Sequence, residues 1–519
     1  GAQDSNYAID IAENADAITM TVAQNALIGT VTDGGDVTIT LSNASDATGD
    51  ADIGAYSLAN GAQTFTLGAA SQNVTTGSGA VVVSTGSVAD ITDAAVDGTN
   101  ATSLKITVAA DTDISDAVIT GTTGAQDSNY AIDIAENADA ITMTVAQHGL
   151  LGTVTDGGDA TITLSNAGTF TAKATVGAYT LAGAGSSTIT LVDVGTDVNT
   201  GAGGSNTIDV SNLTATGTYT TQASDTIKLA NSGSIAGVTE TDGAVGGALD
   251  ANNLTLVDNA SVSMTSAQHN GFSGTVTAGG TEQITLTTAG TVTGESVIET
   301  YVLSGTGNVF TLGAAAQSVN TGTGGSNTVD VSTLTATGTF TTQTTDTVKL
   351  GNGADVKGVD SGAGAGGAFT ATNLTATGNA TMTRLQNNGF SGTVSVTGTN
   401  TFTMTTAGAV TALAGVDTYQ LAAGAQTITL AEAGQNVTAD GTGGNGLVTI
   451  DTGSLTSVTG TFTSAGNDTM KLLLSSTSGV DISAVTMTAV DNVGLDTDAG
   501  GTMTVAQHNV INSAAGTNQ

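Results

Sequence analysis

Residues 1–24 recur without a single change at residues 124–147, a displacement of 123. A repeat of this fidelity constrains the fold more than any local signal, because tandem units bury their apolar faces chiefly against their neighbours. The register runs on. Met20, Met143, Met264, Met382 and Met503 follow one another at 123, 121, 118 and 121 residues, and Tyr56, Tyr179, Tyr301 and Tyr419 keep the same interval. So do Lys105, Lys228, Lys349 and Lys471. The units are read as 1–123, 124–246, 247–364 and 365–485, with 486–519 opening a fifth. Because Gln519 falls just after a fifth Ala506-Gln507-His508 step, a longer parent polypeptide or an assembly of copies is expected. The start at Gly1, with no basic segment leading into an apolar one, is read as a mature product or a fragment.

Within each unit, short runs alternate polar and apolar residues: Thr38-Ile39-Thr40-Leu41, Thr64-Phe65-Thr66-Leu67, Thr188-Ile189-Thr190-Leu191 and Val448-Thr449-Ile450. Period two is the signature of half-buried strands. Gly, Asn, Asp and Ser separate them, as turns require. Helical periodicity is almost absent. In the third unit, strand seeds near Met264, Ile284, Val302, Phe310, Val329 and Val348 often lie about 18 to 21 residues from another seed, the length of one solenoid coil. About six coils then fill a unit roughly 30 Å long.

The expected fold is all-β, a right-handed parallel β-solenoid built from ~121-residue tandem repeats; the alternative is a string of β-sandwich beads. The absence of Pro and Trp and the scarcity of hairpin turns favour the solenoid. Nine Phe and seven Tyr leave the apolar content to Ala, Val, Leu and Ile, so the core is expected to be thin. A mean hydropathy of +0.16 with regular alternation argues against disorder. No apolar run is long enough to span a bilayer. A formal charge of −38, from 7 Lys and Arg against 45 Asp and Glu, repels nucleic acid and anionic lipid. Without Cys there is no disulfide, thiolate zinc site or cysteine nucleophile.

Two phrases carry a family resemblance. Val297-Ile298-Glu299-Thr300-Tyr301 and Gly415-Val416-Asp417-Thr418-Tyr419 each introduce a strand. The stretch Gly203-Gly204-Ser205-Asn206-Thr207-Ile208-Asp209-Val210-Ser211 recurs at 324–332 and, loosened, at 443–452. Both resemble steps of bacterial surface-layer and RTX-type secreted β-solenoid proteins. The resemblance implies a secreted bacterial protein, exported without a cleaved N-terminal signal, that assembles on or outside the cell and often needs calcium. The calcium nonapeptide Gly-Gly-x-Gly-x-Asp is not reproduced, since Asn206 takes the second-glycine position and the Asp comes one place late.

Calcium takes six to eight oxygen ligands, which Asp-rich turns can supply. The candidate ligands are Asp33, Asp36 and their copies Asp156 and Asp159, then Asp111 and Asp113 with Asp116, then Asp496 and Asp498, and the periodic Asp209, Asp330 and Asp451. His148, His269 and His508 share one register position that Asn25 and Asn387 fill elsewhere. At one unit apart they cannot share a metal, and they are read as surface or turn residues. Lys228, Lys349 and Lys471 follow Asp225, Asp346 and Asp468 by three residues. That odd spacing puts the two side chains on opposite strand faces, so a solvated or inter-coil ion pair is expected instead. Thr-x-Thr steps such as Thr19-Met20-Thr21, Thr142-Met143-Thr144 and Thr401-Phe402-Thr403 are read as ordinary exposed strand faces.

No Ser, His and Asp constellation, phosphate loop or basic groove is present, and Arg384 is the single Arg, so no enzyme is expected. The chain is expected to be a secreted structural repeat protein, outside the cell or on its surface, that builds a surface layer, filament or matrix by self-assembly and is stabilised by calcium. Its expected partners are other copies of itself and calcium ions, with no nucleic acid and no membrane insertion. The alternative is the rod-like extender of a large adhesin, and behind it an ice- or polysaccharide-binding surface.

Overall fold

The computed structural model describes residues 8–12, 16–32, 37–120, 130–136, 138–155, 160–240, 243–439, 446–464, 469–488, 492–495 and 499–509. The chain divides into two compact units, Gly1–Thr255 with Gly271–Thr275, and Leu256–Asn270 with Val276–Gln519. Each is a parallel β-solenoid.

In the first unit, Thr38–Leu41 alternates half-buried Thr with buried Ile39 and Leu41. It pairs in parallel with Ala55–Ser57, which pairs with Asn73–Thr75, which pairs with Ala95–Asp97. In register, these strands stack Ile39, Tyr56, Val74 and Val96 into one buried column. A second sheet stacks Phe65, Val83 and Ile106 in the same way. The Tyr56 and Phe65 rings, 4.7 Å apart, join the two sheets across the core.

The second unit repeats the plan. Gln283–Leu286, Thr300–Leu303, Ser318–Asn320 and Phe340–Thr341 pair in turn and bury Ile284, Tyr301, Val319 and Phe340. The facing sheet buries Phe310, Val329, Val348 and Leu374, with Tyr301 meeting Phe310 at 4.5 Å. These two columns explain the seed spacing. Ile284, Tyr301 and Val319 are 17 and 18 residues apart on one face, while Phe310, Val329 and Val348 are 19 apart on the other. The strand ladders of both units are parallel, which excludes the sandwich beads, whose sheets are antiparallel. The core is thin, as the composition requires. It holds because each coil contributes a few fully buried side chains, each worth about 1.5–3 kcal/mol.

Five short helices among the described residues interrupt the strands: α1 (Val22–Asn25), α2 (Val145–His148), α3 (Ser266–Gly271), α4 (Arg384–Gly389) and α5 (Val505–Asn509). They were not anticipated from the sequence. The Thr before each of them accepts from a backbone N–H three residues on, while the Gln there accepts from the Thr backbone, as Thr144 and Gln147 show. Helix side chains also cover strand edges. At α4, Asn387 donates to Thr411 O at 2.8 Å, Asn388 donates to Ala409 O at 2.8 Å, and Thr411 N–H donates to Asn388 Oδ1 at 2.9 Å. Two side-chain amides thus replace a missing strand beside Ala409–Thr411 and block an otherwise open edge.

Candidate functional site

The polar residues that the sequence offers for chemistry are placed mostly between successive coils. Asp33, Asp36, Asp156, Asp159, Asp496 and Asp498 lie outside the described residues. Asp111 Oδ1 accepts from the N–H groups of Asp139 and Ala140, both at 2.9 Å. Asp113 Oδ1 accepts from Ser115 N–H, and Asp116 is exposed.

Asp209 and Asp330 come three residues after Asn206 and Asn327 and are nearly closed to solvent. Asp209 Oδ1 accepts from Ser211 N–H and Oγ, and its Oδ2 accepts from Lys228 Nζ at 2.7 Å. Asp330 meets Ser332 and Lys349 in the same way, again at 2.7 Å. Ser211 and Ser332 adopt φ 53°, and at the matching turn Gly453 has φ 55°. Non-glycine residues reach that region at a cost, offset here by the aspartate holding the turn. Asp451 Oδ1 accepts from Gly453 N–H and from Ser475 Oγ at 2.6 Å. Among the described residues, no three His, Cys, Asp or Glu side chains stand together as a metal site.

The lysine pairing is inter-coil, as expected: Asp209 lies opposite Lys228 and Asp330 opposite Lys349 in the parallel register. Lys105 reaches Asp133 at 2.6 Å. All three lysines are about half exposed, so each pair stabilises by less than about 1 kcal/mol.

Asp225 and Asp346 do something different. Both are fully buried. Asp225 Oδ2 accepts from Thr200 Oγ1 at 2.6 Å and Gln222 N–H at 2.8 Å, and Oδ1 accepts from Asn206 N–H at 2.7 Å. Asn206 is equally buried; it donates to Thr200 O and accepts from Ser187 N–H. Asp346, Thr321, Gln343 and Asn327 form the same network in the third repeat. Asn206 and Asn327, which stand where the calcium nonapeptide would have its second glycine, are links of an internal amide and carboxylate ladder.

The histidine reading needs correcting. His148 and His269 are not at the surface: they are 1% and 3% exposed. Their Nε2 atoms lie 3.1 Å from Tyr179 Oη and 3.0 Å from Tyr301 Oη. Each tyrosine oxygen already accepts a backbone N–H, from Lys173 and Glu295 respectively, so its own proton points at the imidazole. In the fourth repeat Asn387 Oδ1 accepts from Tyr419 in the same place. An acceptor for a buried tyrosine is what the position requires, and Asn and neutral His both supply one. Burial pushes the His148 pKa down to about 4, with Lys173 adding to the effect, and burial does the same for His269. Burial likewise pushes Tyr179 up to about 12. His508, by contrast, is exposed, as expected.

A further set of residues escaped the sequence reading. Gln317 donates from Nε2 to Glu295 O at 2.6 Å and Ile298 O at 3.0 Å in the preceding coil, while its Oε1 accepts from Gly313 and Ala314 N–H. Gln72 and Gln435 repeat this clamp. Their spacing of 245 and 118 residues, two repeats and then one, was the available signal. No described helix is long and apolar enough to cross a membrane. Comparison with protein-family models, curated proteins and solved structures finds no match for the chain.

Proposed function

We propose that this is a secreted bacterial structural protein of surface-layer or RTX-like type, whose stacked coils serve as a building element of an extracellular layer, filament or matrix. The observation that carries the reading is the use made of its polar side chains. The buried aspartates, clamp glutamines and tyrosine-bound histidines each hold one coil to the next, which suits a chain whose task is mechanical.

The outward faces fit polar self-association. Thr169, Thr188, Thr207 and Thr226 stand in one column of the first unit. Contacts between copies would therefore be short and polar. Calcium at acidic turns would offset the repulsion between surfaces of a chain carrying −38.

Sedimentation and negative-stain imaging of the full chain, with and without calcium, test the proposal. An ordered polymer or lattice is expected. Monomers at every calcium concentration would contradict it and favour a spacer segment of an adhesin.

A further inference from the structure

Glu282 is 1% exposed. Its Oε1 accepts from Asn259 N–H at 2.9 Å, but its Oε2 has no partner. A buried carboxylate oxygen without a donor or cation carries its desolvation cost uncompensated. On the following coil, Glu299 sends its own Oε2 to Glu282 N–H at 2.9 Å. Two carboxylates thus occupy successive coils at one corner of the second unit.

The matching corner 118 residues later shows what this position needs. There Asp417 Oδ2 accepts from Asn400 N–H at 3.0 Å, just as Glu299 accepts from Glu282. The side chain at 400, however, is an amide. Its Nδ2 donates to Gly398 O at 3.0 Å, to Gly415 O at 3.1 Å and to Asp417 Oδ2 at 3.1 Å. Three oxygens therefore converge on one N–H₂ group. By register Gly398, Gly415 and Asp417 correspond to Gly280, Val297 and Glu299, and Asn400 corresponds to Glu282. The third repeat keeps the carboxylate, as Glu299, and replaces the donor Asn400 with another acceptor, Glu282.

We propose that Glu282 and Glu299 hold a hard divalent cation of the calcium class at this corner, the ion taking the place of the amide protons of Asn400. Two carboxylates with neighbouring backbone carbonyls and water are the oxygen-only donor set that calcium accepts. A softer metal would need nitrogen or sulfur ligands, which the corner does not offer. The site shares no residue with the aspartate turns and does not rest on the assembly reading, because binding is measured per chain whether or not the chain assembles.

The experiment counts bound calcium by equilibrium dialysis of the full chain at neutral pH in potassium chloride, and follows melting with and without calcium. Wild type is compared with Glu282→Asn, which restores the amide of the fourth repeat, and with Glu299→Gln as the variant to use should the first misfold. One calcium fewer per chain is expected in each variant. In Glu282→Asn the rise in melting temperature on adding calcium should also shrink. Equal calcium counts in wild type and variants would overturn the site. So would a wild type whose melting temperature is indifferent to calcium.

Discussion

The second and fourth repeats follow one plan with different side chains at three register positions. The fourth has Asn387 beneath Tyr419, Asn388 on the neighbouring strand edge, and Gln435 clamping the carbonyls of Leu413 and Val416 at 2.9 and 3.1 Å. The second has His148 beneath Tyr179, Gly149 at the helix end, and Thr196 where the glutamine would be. Thr196 is 2% exposed and its Oγ1 has no partner. Val192 and Val194, on the same coil, stand 42% and 47% exposed. A solenoid tolerates such drift because each coil interacts mainly with its neighbours, so a lost clamp weakens one place without unravelling the array.

The largest expected difference between the two repeats is acid sensitivity. The folded pKa of His148 lies below its unfolded value, so between pH 6.5 and about 4 the unfolded chain binds the extra proton and the folded one does not. Stability is therefore complete above pH 6.5 and falls as pH drops through that window, by about 3 kcal/mol at most for this group. Hydrogen exchange followed from pH 7 to pH 4.5 should show the coils around His148 opening while those around Asn387 hold. His148→Asn should remove the difference.

Next in size is the clamp. Gln435→Ala takes the clamp's donor from the Leu413 and Val416 carbonyls, of which Leu413 O keeps only a long bond from Val416 N–H, and its acceptor from the Ala431 and Glu432 N–H groups, and should cost about 3 kcal/mol in urea unfolding or local exchange. Thr196→Ala removes only an unpartnered hydroxyl and should cost less than about 1 kcal/mol. The reverse exchange, Thr196→Gln, should stabilise the second repeat by about 1 kcal/mol, read from the same exchange experiment. An unchanged or weaker second repeat would mean that the loop at 173–176 cannot accept the amide. The smallest effect is expected for Lys228→Ala. Its exposed ion pair should contribute under about 1 kcal/mol, measured by melting in low and high salt.

These differences also show how far the sequence could be read. Repeat length and the Thr-Ile-Thr-Leu alternation are sufficient for the parallel solenoid, because period two states which side chains go inward and the repeat supplies the neighbours to bury them. Short helices were missed because four to six residues show no helical period. The Thr-x-x-Gln step before each of them was nevertheless a legible start signal. His148 was placed at the surface because Asn replaces it elsewhere. The substitution in fact reflects a shared capacity to accept a tyrosine proton inside the core. The three-residue spacing of Asp225 and Lys228 excludes a pair within one strand but does not name the partner, which stands one coil away: Asp209 meets the lysine, and Asp225 turns inward to Thr200 and Asn206. Side-chain bridges between coils depend on register, and only the inward and outward alternation of that register is visible in the sequence.

The most direct measurement is residue-resolved hydrogen exchange on the full chain at neutral pH, comparing the strand amides of Thr161–Leu164 and Ala178–Thr180 with those of Thr401–Met404 and Thr418–Gln420. If inter-coil side-chain bridges set local stability, the second-repeat strands exchange at least tenfold faster, and Thr196→Gln narrows the gap. Equal protection in both repeats, unmoved by Thr196→Gln and by Gln435→Ala, would contradict the account and assign the stability to backbone ladders and apolar columns alone.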